Sequence, residues 1–242
     1  MGSVYRLRPL NDRTIEELKE PYLWFSKPSG FKGDVNDSNI RLMINDNDII
    51  KEAFSLVLNE DGMNELNDYM EHIGVCCFTK TLPSNKIKGK FPNGKNSICI
   101  EYDKEKLSDY FLNEKHMPDC FKEVIYSDDP IKVESDGNYH FLYKQEENGS
   151  IYKSIYEMQR DPKNFMDELL FFLLTRISKR SQNQDELRII WAGHRIVKNK
   201  DKGYHIDIPN DCIKCIYIYP NTAPEFVEEI KEIGYVVKEL DK

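Results

Sequence analysis

The chain has 242 residues, with 34 basic and 42 acidic side chains, a formal net charge of -8 and a pI near 5.3. This balance excludes a uniformly basic nucleic-acid-binding protein, although it allows a local basic patch. The 40% hydrophobic and 12% aromatic content is enough for an ordinary core and argues against disorder. No stretch approaches the ~20 apolar residues of a membrane span, and the first residues lack the apolar segment of a secretory signal. We therefore expect a cytoplasmic protein without a membrane partner.

The first predicted elements are a short strand from Ser3 to Arg8 and a small helix that Asn11 or Asp12 caps and Pro21 ends. A strand at residues 22–26 precedes a turn-rich stretch. Apolar residues at helical spacing then predict two helices, at residues 47–58 and 63–73, the second of which stops at Gly74. Shorter periods predict strands and one further helix in the next part of the chain: strands at residues 75–79, 97–102, 121–126, 131–134 and 139–143, and a helix at residues 103–113.

The last third of the chain opens with a helix at residues 161–177, because Asp161 and Pro162 are a good N-cap and first-turn residue. Strands follow at residues 186–192, 203–208 and 212–219. A capping box at Thr222 and Glu225 predicts the start of a final helix that Gly234 ends, before a short strand at residues 235–237. Strands and helices alternate without a regular βαβ rhythm, which favours the α+β class. No repeat or linker divides the chain, so we expect a single domain over residues 1–242.

The six cysteines are too sparse for a disulfide scaffold, and in a cytoplasmic protein they are expected as free thiols. The closest metal-like spacing is the C-x-x-C formed by Cys212 and Cys215. This pair lies in a predicted strand, where residues three apart point to opposite faces, so the two sulfurs would not bind one ion. We expect no metal site.

The chain contains no Walker A, GxGxxG, GxSxG or HExxH motif, and its five histidines show no ligand spacing. The remaining candidates are polar residues at the ends of predicted strands, namely Arg6, Arg8, Ser26, Gln184 and Glu186. Gln184 lies two residues before Glu186, which in a strand places both on the same side. The alternative interpretation is an exposed ion-pair cluster of Asp185, Glu186 and Arg188 that contributes under about 1 kcal/mol.

Several segments resemble the DUF2971 family, and together they span nearly the whole chain. In the first half of the chain the match consists of an aromatic and basic opening strand (residues 4–8), a segment that ends in Ser-Lys-Pro-Ser-Gly-Phe (22–31) and two short strands (77–79 and 94–103). In the second half it consists of a Gln-Asp-Glu-Leu-Arg motif (184–188) and an Ile-rich ending (208–217). The chain departs from the family pattern after the second strand, where Phe31-Lys-Gly-Asp34 stands in place of the usual FNDP.

DUF2971 proteins resemble, in turn, the ADP-ribosyltransferase superfamily, whose members cleave the glycosidic bond of NAD and pass ADP-ribose to an acceptor. The resemblance implies an ADP-ribosyltransferase-like split β-sandwich of mixed, mostly antiparallel strands with flanking helices. The superfamily signature is a basic residue or histidine in the first strand, a Ser, Thr or Tyr in the second, and a Glu in a later strand. On this chain these positions fall on Arg6 or Arg8, on Ser26 and on Glu186, with Gln184 at the head of a Q-x-E pair.

The resemblance also implies a role for each residue. Loss of nicotinamide leaves an oxocarbenium-like cation, which a carboxylate at Glu186 would stabilise while holding the ribose 2′-hydroxyl. Arg6 or Arg8 would bind the pyrophosphate or a ribose hydroxyl, Ser26 would support the site, and Gln184 would orient the acceptor. Aromatic residues of the same segment would line the cofactor site, although aromatic residues in strands more often belong to the core: Tyr22, Trp24, Phe25 and Phe31.

The expected function is therefore NAD-dependent ADP-ribosyl transfer to a protein or nucleic-acid acceptor, and we expect it to need no metal. The expected setting is conflict between bacteria and phage, or action as a toxin. Two alternatives stay open. One is a catalytically inactive module on the same fold that binds a nucleotide or a protein. The other is a nucleic-acid-directed transferase, in which the lysines of residues 86–95 would contact phosphates.

Overall fold

The computed structural model describes residues 2–28, 72–82, 97–126, 132–136, 139–146, 149–154, 174–177, 179–192 and 203–240. These residues form a mixed α+β structure dominated by antiparallel strands. Three helices are described, α1 (Asp12–Lys19), α2 (Lys104–Lys115) and α3 (Pro224–Ile233). The strands are β1 (Ser3–Pro9), β2 (Tyr22–Ser26), β3 (Ile73–Thr79), β4 (Ser97–Asp103), β5 (Phe121–Glu123), β6 (Ile125–Tyr126), β7 (Lys132–Asp136), β8 (Tyr139–Glu146), β9 (Gly149–Ser154), β10 (Arg176–Ile177), β11 (Glu186–Ala192), β12 (Gly203–Asp207), β13 (Ile213–Ile218) and β14 (Val237–Glu239).

The main sheet has nine strands, and β3 is the strand at which it divides. One edge of β3 pairs with β11 along its whole length, and β5 continues the sheet beyond β11. The other edge of β3 is shared, because β2 pairs with it at Val75 and β1 pairs with it at Thr79. From β2 the sheet continues into β12, and from β1 it continues into β4, β13 and β14. Two smaller sheets, β6–β10 and β7–β8–β9, complete the described strands.

One face of the main sheet carries the larger hydrophobic core. It is called the helix-covered face here, since α1, α2 and α3 each contribute buried side chains to the same cluster as the strands. Phe111 of α2, for example, packs against the rings of Phe25 and Trp191, which come from β2 and β11. The strand residues of this face alternate with those of the opposite face: the helix-covered face carries Val4, Arg6, Cys76, Phe78, Ile100, Tyr102, Leu187 and Ile189.

The predicted ends of two helices are confirmed by their caps. The Asn11 side chain accepts a hydrogen bond from the backbone N–H of Thr14, so Asn11 is the N-cap of α1. Gly234 ends α3 with a φ of 102°, a left-handed conformation that glycine adopts at low cost. Most predicted strands also match, with boundaries that differ by a few residues.

Two local predictions are wrong. The hydroxyl of Thr222 accepts a hydrogen bond from the backbone N–H of Tyr219 and does not cap α3, whose N-cap Ala223 has no side-chain bond. The predicted helix at residues 161–177 does not reach its expected end, because Arg176 and Ile177 pair with β6 as a parallel strand. The predicted helices at residues 47–58 and 63–73 lie almost entirely outside the described residues, as does the lysine-bearing stretch at 86–95.

Candidate functional site

A row of polar side chains crosses four neighbouring strands on the face opposite the helices. Glu186 at the start of β11 pairs with Thr79 of β3, and Thr79 pairs in turn with Tyr5 of β1. Tyr5 pairs with Glu101 of β4. Residues that are directly paired across strands point to the same face, so these four side chains share the opposite face. Three strand spacings place the two carboxylates roughly 14 Å apart, with the two hydroxyl-bearing residues between them.

Glu186 is the most enclosed member of this row. It is 7% exposed, and its Oε1 accepts a hydrogen bond from Nε of Arg188 at 2.7 Å. Arg188 is fully buried, and its Nη1 also donates to the backbone carbonyl of Leu174 at 2.6 Å. A buried carboxylate is tolerated when a cation and further hydrogen bonds compensate its charge, so this pair keeps negative charge at position 186 inside the protein.

The backbone around Glu186 is held in place from two sides. Its N–H donates to the hydroxyl of Tyr126 at 2.6 Å, and burial raises the pKa of Tyr126 to about 12, so this phenol stays protonated at neutral pH. The preceding residue, Asp185, has a φ of 45°, which is uncommon for a residue other than glycine. The carbonyl of Asp185 accepts a hydrogen bond from the N–H of Lys80. These contacts fix the direction in which the carboxylate leaves the sheet.

A lysine lies at the end of β3, beside the start of β11. Lys80 directly follows Thr79, and its ammonium group is 3.2 Å from the Glu123 carboxylate and 3.5 Å from that of Asp185. These ion pairs are partly or largely exposed, so they contribute little and can be exchanged for another anion at small cost.

The predicted arginines do not join this row. Arg6 pairs with Ile100 and Arg8 with Ile98, and both side chains therefore point to the helix-covered face. The sheet separates them from Glu186, so the expected convergence of Arg6 or Arg8 with Glu186 is not found. The alternation of side chains along β1 shows from the sequence that Arg6 and Arg8 share one face of the sheet. That Glu186 lies on the opposite face follows only from the pairing of β1 with β3 and of β3 with β11.

The two arginines instead belong to a buried polar cluster at the point where β1 and β2 separate. The guanidinium of Arg6 donates to the carbonyl of Trp24 at 3.4 Å and lies 5.6 Å from the centre of the Phe78 ring. Arg8 forms an ion pair with Glu17 of α1, whose side chain is 1% exposed. Within the described residues these contacts assign the arginines to the packing of α1 and β2 onto β1.

The other predicted site residues are distributed differently. Ser26 shares the face of Glu186, but it pairs with Val75, which is four residues and ~13 Å along β3 from Thr79. Gln184 ends a 3-10 helix (Lys179–Gln184), so the strand alternation that was expected to place it beside Glu186 does not apply. Phe25 has no exposed surface and packs in the core, which removes it as a stacking partner for a cofactor. Tyr22 is half-buried with its ring 5.3 Å from that of His205, while Phe31 lies outside the described residues.

Thr79, Tyr5 and Glu101 are the residues of the row that reasoning from the sequence missed. A signal for Thr79 was present, because Cys77-Phe78-Thr79 is itself one of the segments that resemble the DUF2971 pattern. Its position next to Glu186 depends on the pairing of two strands that are more than a hundred residues apart in the sequence. Local periodicity does not contain this information.

Other features of the described residues limit the chemistry. No group of three or more His, Cys, Asp or Glu side chains is arranged to hold a metal ion in this part of the chain. Cys212 packs in the core of the helix-covered face, whereas Cys215 pairs with Glu101 on the opposite face. None of the described helices is long and apolar enough to cross a membrane. Comparisons with protein-family models, with curated proteins and with solved structures give no match to this chain.

Proposed function

We propose that this chain is an NAD-dependent ADP-ribosyltransferase of an ADP-ribosyltransferase-like fold, with Glu186 as its catalytic carboxylate. The observation that carries the proposal is the buried, ion-paired Glu186 on the same sheet face as the hydroxyl-bearing side chains of Thr79 and Tyr5. The superfamily signature requires a hydroxyl-bearing residue in an early strand and a Glu in a later one. The direct pairing of β3 with β11 favours Thr79 over Ser26 for the first of these positions.

The proposed chemistry uses the charge at position 186. The bond between nicotinamide and the ribose C1′ breaks, nicotinamide leaves with the bonding electron pair, and an oxocarbenium-like cation forms. The Glu186 carboxylate accepts a hydrogen bond from the ribose 2′-hydroxyl and stabilises the cation. The nucleophilic atom of an acceptor then bonds to C1′ and releases its proton to water.

The pyrophosphate of NAD needs a cation, and the structure changes which residue we propose for it. Arg6 and Arg8 lie across the sheet from Glu186, whereas Lys80 directly follows Thr79 and its ammonium group is 3.5 Å from the carboxylate of Asp185, the residue before Glu186. Lys80 is 35% exposed and its acidic partners are at least as exposed, so a phosphate can replace them. We therefore assign the pyrophosphate to Lys80 within this proposal.

One observation favours a second function, a nucleotide-binding or protein-binding module without turnover. The Glu186 carboxylate is 7% exposed and its Oε1 accepts a hydrogen bond from Arg188, which makes the pair as suitable for a structural role as for catalysis. In that case ligand binding would be measurable, but NAD would not be consumed.

Incubation of the purified chain with NAD labelled in the adenosine part separates the two functions. We expect release of nicotinamide together with free ADP-ribose or labelled macromolecule, and Glu186→Ala should abolish this turnover while NAD binding stays measurable. Glu228→Gln, which changes an exposed carboxylate on α3, is the matched control and should leave the rate unchanged. Treatment of the labelled product with nuclease or protease then identifies the class of acceptor. Binding without any turnover by the parent chain would instead support the second function.

A further inference from the structure

The second carboxylate of the polar row, Glu101 on β4, is held by two hydroxyl groups. Its side chain is 11% exposed, Ser3 donates to Oε1 at 2.6 Å, and Tyr217 of β13 donates to Oε2 at 2.8 Å. Burial and the neighbouring Glu101 carboxylate raise the pKa of Tyr217 well above its usual range, so its hydroxyl remains a donor. The carboxylate is therefore fixed in orientation, with one oxygen directed at the serine hydroxyl.

A β-bulge brings a lysine to the same serine. Ile213 pairs with Tyr102 and Cys215 pairs with Glu101, so Lys214 is an additional residue without its own partner on β4. Bulges of this kind redirect side chains and are common next to active sites. The Lys214 ammonium donates to the Ser3 hydroxyl at 3.1 Å and lies 3.9 Å from Oε1 of Glu101.

Part of the surface of Ser3 is exposed to solvent. Ser3, Tyr5 and Tyr217 are all half-buried, and the Lys214 side chain is 32% exposed. The rings of Tyr5 and Tyr217 lie edge to face with their centres 6.4 Å apart, next to the serine. The apolar or aromatic part of a small molecule could therefore pack against these two rings, beside the Ser3 hydroxyl that is hydrogen-bonded to Glu101 and Lys214.

We propose that Ser3 is the nucleophile of a second site, at the Glu101 end of the polar row, that cleaves small carboxylic esters. A nucleophile within hydrogen-bond reach of a base, with the base oriented by a third group, is the arrangement that covalent catalysis requires. Ser3, Glu101 and Tyr217 take these three roles at 2.6 Å and 2.8 Å. Lys214 supplies the positive charge that stabilises an oxyanion.

The reaction has two balanced steps. In the first, Oγ of Ser3 bonds to the ester carbonyl carbon, its proton passes to Glu101, and the carbonyl electron pair moves to the oxygen beside Lys214. The intermediate collapses, the bond to the leaving alcohol breaks, and Glu101 returns the proton to that alcohol. In the second step a water molecule attacks the acyl group on Ser3, Glu101 accepts its proton and passes it to Oγ, and the carboxylic acid leaves.

The test uses the full chain with a carboxy-terminal tag, so that Ser3 is not disturbed, and p-nitrophenyl acetate as the probe. We expect a burst of p-nitrophenol and an acetyl group on Ser3 in the peptide mass spectrum of the parent chain. Ser3→Ala should abolish the burst, and Glu101→Gln should slow acylation by about a hundredfold or more, since this is the range for a lost general base. Lys214→Met should slow it by about a hundredfold, as for a lost oxyanion donor.

Ser108→Ala and Lys231→Met change a helical serine and an exposed lysine away from the site and serve as matched controls with unchanged bursts. Acetylation of lysines alone, the absence of a burst in the parent chain, or a burst that survives in Ser3→Ala would each overturn the proposal. Mass spectrometry locates the acetyl group on the parent chain itself, so a folding defect in a variant does not affect this measurement.

Discussion

Replacement of Arg188 by methionine tests the buried ion pair on which the site is built. Arg188 has no exposed surface, and its guanidinium contacts the Glu186 carboxylate at 2.7 Å and the Leu174 carbonyl at 2.6 Å. The variant leaves a buried carboxylate without this cation, and the loss of one partner of a buried pair costs about 3–5 kcal/mol. For a chain of this length we expect the melting temperature to fall by roughly 10 °C.

The double variant Arg188→Met with Glu186→Leu measures the interaction itself. Removal of both charges leaves no uncompensated ion, so the double variant should be more stable than the sum of the two single losses predicts, by more than about 1 kcal/mol. Urea denaturation followed by circular dichroism gives the four free energies of unfolding. A loss below about 1 kcal/mol in Arg188→Met, or strict additivity in the double variant, would show that the two buried charges do not stabilise each other.

An exposed ion pair provides the matched control. Lys19 and Glu229 join α1 to α3 at 2.8 Å, but their side chains are 53% and 39% exposed. Lys19→Met should therefore cost less than about 1 kcal/mol in the same experiment.

Three further predictions concern packing and titration. A Cβ at Gly74 would lie 2.6 Å from the Cβ of Phe25, so Gly74→Ala should lower the free energy of unfolding by about 1–3 kcal/mol in urea denaturation, and unchanged stability would contradict this contact. Burial raises the pKa of the Cys76 thiol to about 11, whereas its neighbour Cys77 is half-buried. At pH 8 a disulfide reagent should therefore modify Cys77 before Cys76, and rapid modification of all six cysteines in the native chain would contradict this. Burial raises the pKa of Tyr126 from 10.0 to about 12, so between these pH values the unfolded chain loses a proton that the folded chain keeps. The free energy of unfolding should therefore fall as the pH rises above about 10. The absorbance of tyrosinate should show a phenol that ionises at a higher pH than an exposed tyrosine.

Local features of the structure were predictable because neighbouring residues determine them. Asn11 caps α1 through a hydrogen bond to a residue three positions on, and Gly234 ends α3 because its backbone adopts a positive φ. The strands of the main sheet were likewise visible as short stretches of β-branched and aromatic residues. Thr222 shows the limit of such reasoning, since its hydroxyl bonds to Tyr219 in the turn before the helix.

The composition of the candidate site was not predictable, because it depends on which distant strands pair. The position of Glu186 at a strand start was predicted, and the strand β11 begins at this residue. Its neighbours were not: a left-handed Asp185 ends the alternation that was expected to align Gln184, and the pairing of β3 with β1 and β11 brings in Thr79 and Tyr5. The family resemblance assigned the cationic role to Arg6 or Arg8, and the strand pairing places both on the opposite face of the sheet from Glu186.

A structure of the chain with carba-NAD, in which a methylene group replaces the ring oxygen of the nicotinamide-side ribose so that no oxocarbenium ion can form, is the most direct test of the proposed site. We predict that the nicotinamide-side ribose lies within hydrogen-bond distance of the Glu186 carboxylate, on the sheet face that carries Thr79 and Tyr5, with the pyrophosphate near Lys80. A ligand bound on the helix-covered face beside Arg6, or no binding at millimolar concentrations of the analogue, would contradict it.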